Sequence, residues 1–508
     1  DGQRIGEMGM ALDLKKMLPF LPASGAKSSN LDDTMVYFVT FLYSLATAEI
    51  SPSNLLKTAG DAGYGTYSKV VTDIYNLGMK WQYGIASAAG IIASQLQNED
   101  FKLFLMKLEQ VVRLGDSLRD FLKSEMGAVV NAYANAYERS MESLKLLLGM
   151  FSTLMSTASF MIAAMMIMSM IGGGGDDSVI LLVTFAVISG LSTYALMMYM
   201  MFPKDKVFNE NSSHMAPFKR VFMPAAVASV AICIALLFVP GLPRELAVTA
   251  AGAPLIWPGF LARRIEGKLK KLDDSYPSFI RHLTEIYSTV GSLGQALRTV
   301  MKSDFGGLSV HARSMLNRVQ NRVAMEDAFD LFSIDTGNAL ITSSNKVVSV
   351  SMVKGGNMSE VGHQLAGLTS RFIELRKKRQ QLGKAFESTV LILHVLTVAV
   401  LSFMKGVFQF FSQIFTNIDA SLGSSVIQPV PPDTMNIVMP VMIVALACIN
   451  GLVIKVSQGG MFKTVWFNVG ILLLIGGIVS FGTQQFVGQM FGDVIGSNPF
   501  ADLETVAP

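Results

Sequence analysis

Long apolar runs alternate along this chain with segments that carry charge at helical spacing. A run of about 20 apolar residues is long enough to cross a bilayer as a helix. Seven such runs lie near residues 146–171, 178–202, 221–240, 244–262, 388–410, 435–454 and 464–482. The pattern therefore predicts an all-α, polytopic membrane protein with large water-facing parts.

The two polar segments are copies of one unit. Leu31-Asp32-Asp33-Thr34 returns as Leu272-Asp273-Asp274-Ser275, a spacing of 241 residues. The same spacing, with no insertion, pairs further residues: Phe38 with Phe279, Leu42 with Leu283, Ser51 with Ser292, Leu56 with Leu297, Thr58 with Thr299, Gly65 with Gly306 and Gly115 with Gly356. Apolar residues recur at helical spacing in both copies, so each is predicted to be a compact bundle of about six short helices.

Short polar side chains mark the predicted helix starts. In the first copy, Asp32 or Asp33 is expected to cap the first helix, because a carboxylate accepts hydrogen bonds from its unpaired amides. In the second copy we expect the cap at Asp274 or Ser275, with Pro277 in the first turn. A tight turn between helices is predicted at Gly355-Gly356. The predicted structural motif is Asp273, Asp274, Pro277, Gly355 and Gly356.

These patterns divide the chain into six segments. They are an N-terminal cytoplasmic segment 1–30, a first bundle 31–145, four spans in 146–262, a basic second bundle 263–387, three spans in 388–482 and an extracytoplasmic tail 483–508. The short loops predict the orientation, because Lys and Arg concentrate on the cytoplasmic side. Loops 203–220 and 455–463 carry Lys or Arg, whereas 172–177 and 417–434 carry neither. We therefore predict a multi-pass protein of the cytoplasmic membrane with its N-terminus inside and its C-terminus outside.

Charge distinguishes the two bundles. Only 16% of all residues are charged, below the roughly 25% of a soluble domain, and the net charge is +3. Residues 1–145 hold 14 Lys/Arg and 16 Asp/Glu, whereas residues 263–387 hold 19 and 12. The second bundle is therefore the basic one.

The motifs predict no catalytic, cofactor-binding or metal-binding site. A phosphate-binding loop requires Gly-x-x-x-x-Gly-Lys-Ser/Thr, and the nearest string, residues 459–464, has Phe462 where glycine is needed. The two cysteines lie in apolar runs, and the five histidines are scattered. His394, inside the fifth run, either relays protons or, as we favour, is simply hydrogen-bonded to a neighbouring helix.

Two basic clusters flank the second bundle at the membrane surface. They are Arg263, Arg264, Lys268, Lys270 and Lys271 after the fourth run, and Arg376, Lys377, Lys378 and Arg379 before the fifth. Anchoring to anionic lipid accounts for such clusters. Docking of an acidic cytoplasmic partner accounts for them as well, and both interpretations stay open here.

The second copy resembles a known domain. Residues 272–281, the helix around Ala296-Leu297 and the turn Lys354-Gly355-Gly356-Asn357 are similar to the platform-protein domain of type II secretion and type IV pilus machines. Two such domains with spans between them resemble the archaeal branch, over about residues 30–480. The first copy departs from this motif, with Val36 at the position of Pro277 and Leu114-Gly115-Asp116 in place of the double glycine.

The resemblance implies a non-enzymatic membrane platform of an archaellum or an archaeal type IV pilus. Such a platform contacts a hexameric secretion ATPase in the cytoplasm and passes its motion to filament subunits in the membrane. A homodimer is implied as well, with no cofactor and no nucleic acid as a partner. The two basic clusters are then the expected ATPase contact.

The alternative is a polytopic transporter or channel. Against it, the duplicated unit here is predicted to be soluble, whereas transporter repeats lie within the membrane. An intramembrane enzyme is disfavoured further, because the apolar runs hold no paired Asp, His-Glu or Ser-His set.

Overall fold

A computed structural model of the protein describes residues 32–171, 177–202, 205–209, 216–239, 244–422 and 432–496. These residues are helical apart from turns and one isolated antiparallel bridge between Phe208 and Asn338, which confirms the all-α prediction. The predicted segment 1–30, residues 497–508 of the predicted tail, and parts of the two loops 203–220 and 417–434 lie outside the described residues.

The chain forms two compact units, of which the first comprises residues up to Tyr137 together with Val350–Asn357. Its helices are α1 (Asp33–Ala46), α2 (Pro52–Asp61), α3 (Thr66–Tyr75), α4 (Ile85–Gln95), α5 (Glu99–Leu114) and the start of α6 (Leu118–Ile171). The predicted cap of α1 is confirmed, since the Thr34 amide donates to Asp32 Oδ1 over 2.9 Å. Ser51 precedes α2, and Pro52 occupies its first turn.

Aromatic rings form the centre of the first unit. Phe38 on α1 is fully buried, and its ring centroid lies 5.7 Å from Tyr64, 5.6 Å from Tyr67 and 6.0 Å from Phe101. Rings at these separations pack favourably edge-on or offset, beyond the area they bury. The duplicated Phe38 is therefore a core anchor of the bundle.

The second unit holds the rest of α6 and all later helices except the end of α14. They are α7 (Asp177–Met201), α8 (Ala216–Leu237), α9 (Arg244–Ala250), α10 (Ala253–Val290), α11 (Leu293–Val300), α12 (Leu308–Gln320), α13 (Met325–Thr336), α14 (Ala339–Val353), α15 (Met358–Leu422), α16 (Pro432–Gln458) and α17 (Val465–Gly496). Phe279 on α10 is the buried counterpart of Phe38 and packs on Phe305 and Phe332, at 5.5 Å and 5.8 Å.

The two bundles match helix for helix, but the predicted absence of an insertion is wrong. Near their starts the spacing is 241, because Ser68 Oγ accepts from the Tyr64 amide as Ser309 Oγ accepts from the Phe305 amide. Further on the spacing is 240, since the left-handed glycine after the fifth helix is Gly115 in one copy and Gly355 in the other, with φ of 76° and 75°. Gly115 therefore corresponds to Gly355 and not to Gly356.

A π-turn accounts for the extra residue of the first copy. Residues Asn76–Lys80 form it directly after α3, where the second copy has the uninterrupted helix α12. A π-turn closes i→i+5 hydrogen bonds, so it accommodates one residue more than an α-helix. The insertion thus changes the helix locally and leaves the bundle intact.

The predicted helix start in the second copy is wrong. α10 runs without a break from Ala253 to Val290, so Asp273 and Asp274 lie inside it and Pro277 is an interior proline. An interior proline costs about 3 kcal/mol, which burial of Tyr276, Phe279 and Ile280 around it offsets. The membrane-spanning helix therefore continues directly into the bundle. By contrast, the predicted turn at Gly355-Gly356 does separate α14 from α15.

Seven helical segments among the described residues are long and apolar enough to cross a membrane, which confirms the predicted number. They are Leu118–Met168, Val179–Met201, Ala216–Leu236, Arg244–Val290, Met358–Phe411, Met435–Gln458 and Phe462–Phe491. The fourth is interrupted between α9 and α10, where Gly252 lies, and Pro254 follows in the first turn of α10. Several approach one another closely: a Cβ added at Gly259 would come within 2.2 Å of the Phe467 amide nitrogen.

Polar side chains inside the apolar helices are paired with one another. His394 on α15 is fully buried, with Nε2 3.0 Å from the Leu472 carbonyl and Nδ1 3.2 Å from Asn450 Nδ2. Ser402 donates to Ser480 Oγ over 3.0 Å. His394 is thus hydrogen-bonded to both neighbouring helices, in agreement with the interpretation favoured above.

These helices also contain a buried ion pair that the sequence pattern did not predict. Lys405 Nζ on α15 bonds Glu245 Oε1 on α9, and both side chains are 5% exposed or less. A charge is costly in this environment unless it is paired. The pair therefore fixes the short helix α9 against α15.

We expect Lys405→Met alone to destabilise the protein by roughly 3–5 kcal/mol, because it leaves the Glu245 carboxylate buried without its partner. The double variant Glu245→Gln/Lys405→Met should regain most of that loss. Thermal unfolding in detergent measures both effects. The exposed pair Arg281–Glu285, with 3.0 Å between its charged atoms, is the control, and Arg281→Ala should cost less than about 1 kcal/mol. Equal losses in the single and double variants would contradict the assignment.

Candidate partner-binding surface

The first predicted basic cluster follows the apolar part of α10. Arg264, Lys268 and Lys271 are exposed and spaced so that they share one helix face, and they form no ion pair with the part of the chain that the structure describes. We call these three residues the basic stripe. Two other members of the cluster bind within the protein: the Arg263 guanidinium lies 4.8 Å from the centroid of the Phe467 ring, and Lys270 Nζ lies 2.7 Å from Glu266 Oε1.

The second predicted cluster, on α15, contacts acidic side chains of the same chain. Arg376 lies 3.7 Å from Asp273, Lys377 lies 2.7 Å from Asp274, and Lys378 lies 3.1 Å from both Glu138 and Glu374. Arg379 is only 4% exposed and bonds Asp205 and the Val456 carbonyl at 3.4 Å and 2.9 Å. The structure thus places Arg379 in the interior, where a partner has no access to it, while Lys377 and Lys378 stay at the surface.

Asp273 and Asp274 lie where the two clusters meet. They line a cavity of about 100 Å³ together with Asp205, Lys270, Ile373, Arg376 and Lys377. Burial raises the pKa of Asp273 to about 6, and the Arg376 guanidinium and the Asn338 amide oppose that rise. The Asp273 carboxylate therefore serves as an internal partner for α15 and not as a helix cap.

Asn338 connects α10 to the start of α14. Its Nδ2 donates to Asp273 Oδ1 over 2.8 Å and to the Leu269 carbonyl over 3.1 Å. Its Oδ1 accepts from the amides of Leu340 and Ile341, so it also caps α14. The buried side-chain amide of Asn338 thus hydrogen-bonds to groups of both α10 and α14.

The first unit repeats this connection with one more member. Tyr67 Oη donates to Asp32 Oδ2 over 2.6 Å, and Asn98 Nδ2 lies 3.5 Å from Tyr67 Oη. Asn98 caps α5 by accepting from the Phe101 amide over 3.1 Å. In both bundles, therefore, an aspartate in or directly before the first helix is linked to the asparagine that caps the fifth helix.

The Gly459-Gly460 turn between α16 and α17 closes a second charge network. Asp205 Oδ2 accepts from the Gly460 amide over 3.3 Å, and Lys455 Nζ lies 3.2 Å from Glu266 Oε2. Both glycines have positive φ, 66° and 76°, and an added Cβ would lie 2.4 Å from Asp205 at the first and 2.2 Å from Glu266 at the second. We call Asp205, Glu266, Arg379, Lys455 and this turn the charged joint.

Sequence reasoning missed the charged joint because its members are far apart along the chain. Asp205 lies between two lysines, Glu266 lies in the basic run 263–271, and Lys455 ends an apolar run, so nothing local pairs them. Gly459-Gly460 was tested only as part of a phosphate-binding loop. The usable signal was the pair of adjacent glycines after a helix, which indicates positive φ and close approach. No group of three or more metal-ligating side chains occurs among the described residues.

Two curated proteins of archaea are similar to this chain over most of its length. It is 22% identical over 491 residues to "Flagella accessory protein J" of Methanocaldococcus jannaschii, which covers 92% of this chain and 87% of that protein. It is 21% identical over 437 residues to "Flagella accessory protein J" of Methanococcus voltae, with coverage of 82% and 78%. No family model and no solved structure matches the chain. The chain is thus a distant homologue of archaeal flagella accessory protein J.

We expect Gly460→Ala to lower the stability of the protein by roughly 1–3 kcal/mol, because alanine is strained at this φ and its Cβ displaces the Glu266 carboxylate. Thermal unfolding in detergent is the measurement. Gly267→Ala on α10 is the matched control, since no atom lies within 4 Å of the added Cβ there. Alanine should stabilise that helix by up to about 1 kcal/mol. If the two variants have the same thermal stability, the Gly459-Gly460 turn does not constrain the charged joint.

Proposed function

We propose that this protein is the integral membrane platform of an archaeal type IV filament machine, an archaellum in the first place. In this role it couples a cytoplasmic secretion ATPase to the assembly or rotation of a filament. The observation that carries the proposal is the homology over nine-tenths of the chain to flagella accessory protein J. The seven apolar helices and the two related bundles agree with it.

The platform acts mechanically and not as an enzyme. In the proposed orientation the N-terminus and both bundles face the cytoplasm and the C-terminus lies outside. The bundles face the hexameric ATPase, and the apolar helices face filament subunits and lipid. The proposal therefore needs a rigid path from a contact surface to the membrane, and α10 supplies one by running unbroken from its apolar part into the second bundle.

The ATPase contact in the second bundle is the basic stripe, together with Lys377 and Lys378. Arg264, Lys268 and Lys271 are exposed, whereas the neighbouring Lys270 is paired with Glu266. Three cations on one face attract an acidic surface and steer its approach. Arg379, Arg376 and Lys270 support the surface from within by their ion pairs.

A transporter or channel remains the alternative of another class. A transporter or channel needs polar side chains within its apolar helices. Those at His394, Ser402 and Lys405 are bonded to residues of neighbouring helices. They fit helix packing, in which buried polar groups hold helices together.

Reversing the charge of the basic stripe tests the function. We expect Arg264→Glu/Lys268→Glu/Lys271→Glu to abolish co-purification of the secretion ATPase of the same organism and to prevent filament formation, as counted by electron microscopy. The stripe makes no internal ion pair among the described residues, so the fold should persist. The matched control is Arg298→Glu/Lys302→Glu/Arg313→Glu, which changes three exposed cations elsewhere in the second bundle. Unchanged ATPase binding in the stripe variant would exclude the stripe as the contact.

The proposed homodimer predicts a protein mass of twice 55.0 kDa for the detergent-solubilised chain. Light scattering coupled to size-exclusion chromatography, corrected for bound detergent, measures that mass. A mass equal to one chain across the accessible concentration range would count against the dimer. The measurement is independent of ATPase binding and does not depend on the stripe.

A further inference from the structure

The first bundle has a groove between α1, α5 and α6 with a volume of about 170 Å³. Met35 and Phe104 line it and are 6% exposed or less, whereas Leu103 at its rim is 54% exposed. A cavity of about 150 Å³ holds a benzene ring in another protein, so this groove has room for a large apolar side chain. We call the surface between Asp32 before α1, Leu103 on α5 and Ala132 on α6 the acidic groove.

The second bundle has no such opening on its sixth helix. The starts of α6 and α15 keep the spacing of 240, and three positions of the groove differ in the same direction. A small or charged residue of α6 stands where α15 has a large side chain that is 5% exposed or less: Ala128 and Leu368, Ala132 and Phe372, Glu125 and Leu365. On the fifth helix the exchange is reversed, since Leu103 and Phe104 stand where α14 has Ser343 and Ser344. The groove, with apolar surface on α5 and an open wall on α6, is therefore specific to the first bundle.

Three carboxylates and one ammonium group line the acidic groove. Lys107 Nζ lies 2.7 Å from Glu125 Oε1, and Asp32 Oδ2 accepts from Tyr67 Oη over 2.6 Å. Asp100 forms no ion pair with the part of the chain that the structure describes. The groove thus has an excess of negative charge, so an apolar segment that carries lysine suits it.

The corresponding place in the second bundle indicates which part of the chain covers the groove. Asp273 and Ile373 line the cavity described above, and they occupy the positions of Asp32 and Tyr133. That cavity is smaller, about 100 Å³, and Lys270, three residues before the aspartate, forms part of its wall. The duplication therefore points to the chain directly before Asp32, which lies outside the described residues, as the neighbour of the acidic groove.

The chain before Asp32 contains a segment of matching chemistry, residues 8–18. Four of its apolar residues recur at the spacing of one helix face: Met10, Leu14, Met17 and Leu18. Lys15 and Lys16 lie outside that face, and Asp13 is the one acid of the segment. The chain from residue 18 to residue 32 spans up to about 46 Å when extended, so the segment can reach back over the whole groove.

We infer that residues 8–18 of this chain bind the acidic groove. Their apolar face covers Leu103, Phe104 and the open wall of α6, and their two lysines lie beside Asp100 and Glu125. A tethered segment has an effective concentration on the order of millimolar, so even a modest contact keeps it bound. The segment supplies from outside the apolar side chains that α15 supplies within the second bundle. The inference does not depend on the function proposed above.

Disulfide crosslinking of the full-length protein in nanodiscs tests the contact. In a Cys233→Ala/Cys448→Ala background, Leu18→Cys/Ala132→Cys should crosslink within one chain on mild oxidation, as detected by mass spectrometry of the linked peptides. The matched control is Leu18→Cys/Lys57→Cys, with the second cysteine at an exposed residue of α2 outside the groove. Equal crosslinking of the two pairs would contradict the inference. In a mixture of isotope-labelled and unlabelled protein, crosslinks found only between chains would contradict it as well.

Trypsin provides a second readout that does not depend on the exact register of the segment. Cleavage after its two lysines should be at least about tenfold slower in the wild-type protein than in Ala132→Trp, which fills the groove, because proteolysis follows the unbound fraction. Leu103→Asn should accelerate cleavage too. The matched controls are Asn135→Trp and Met106→Asn, at exposed positions of the same helices outside the groove. Thermal unfolding should be the same in all variants, since every changed residue is exposed. Equal cleavage rates in the wild-type protein and both groove variants would overturn the inference.

Discussion

The charged joint is the constraint on which the arrangement of the second unit depends. Glu266, Arg379 and Lys455 are each 6% exposed or less, and they lie where apolar helices meet polar loops. A buried charge that loses its partner costs several kcal/mol, so these residues permit only the arrangement in which all of them are paired. That requirement fixes α10, α15 and α16 relative to one another and leaves room only for glycine in the turn beside them.

Helix continuity connects the charged joint to the basic stripe. α10 and α15 contain 38 and 65 residues and pass from the apolar block into the second bundle without a break. At 1.5 Å per residue, α15 is about 98 Å long. The basic stripe lies on α10 within two turns of Glu266, so a force on the stripe acts on a helix anchored at the joint. Under the proposed function, transmission of movement therefore depends on the same few ion pairs as stability does.

Features that depend on neighbouring residues in the sequence were predicted correctly. Apolar run length gave the number of spanning helices, and the carboxylate before α1 was predicted correctly as its cap. The corresponding prediction at Asp274 was wrong. Asp273 and Asp274 lie inside the continuous helix α10, which has no N-terminus there to cap. The one-residue shift between the copies was missed, since the matches before and after the π-turn differ by a single position. Asp205 and Arg379 could not be paired from sequence, because only the fold brings residues 174 positions apart together.

The two copies preserve the scaffold and differ in surface chemistry. Each links an aspartate in or directly before the first helix to the asparagine that caps the fifth helix. The second copy adds the basic stripe on α10, whereas the first has exposed rings after its π-turn. Charge acts over roughly a Debye length and guides approach, while aromatic burial acts only in contact.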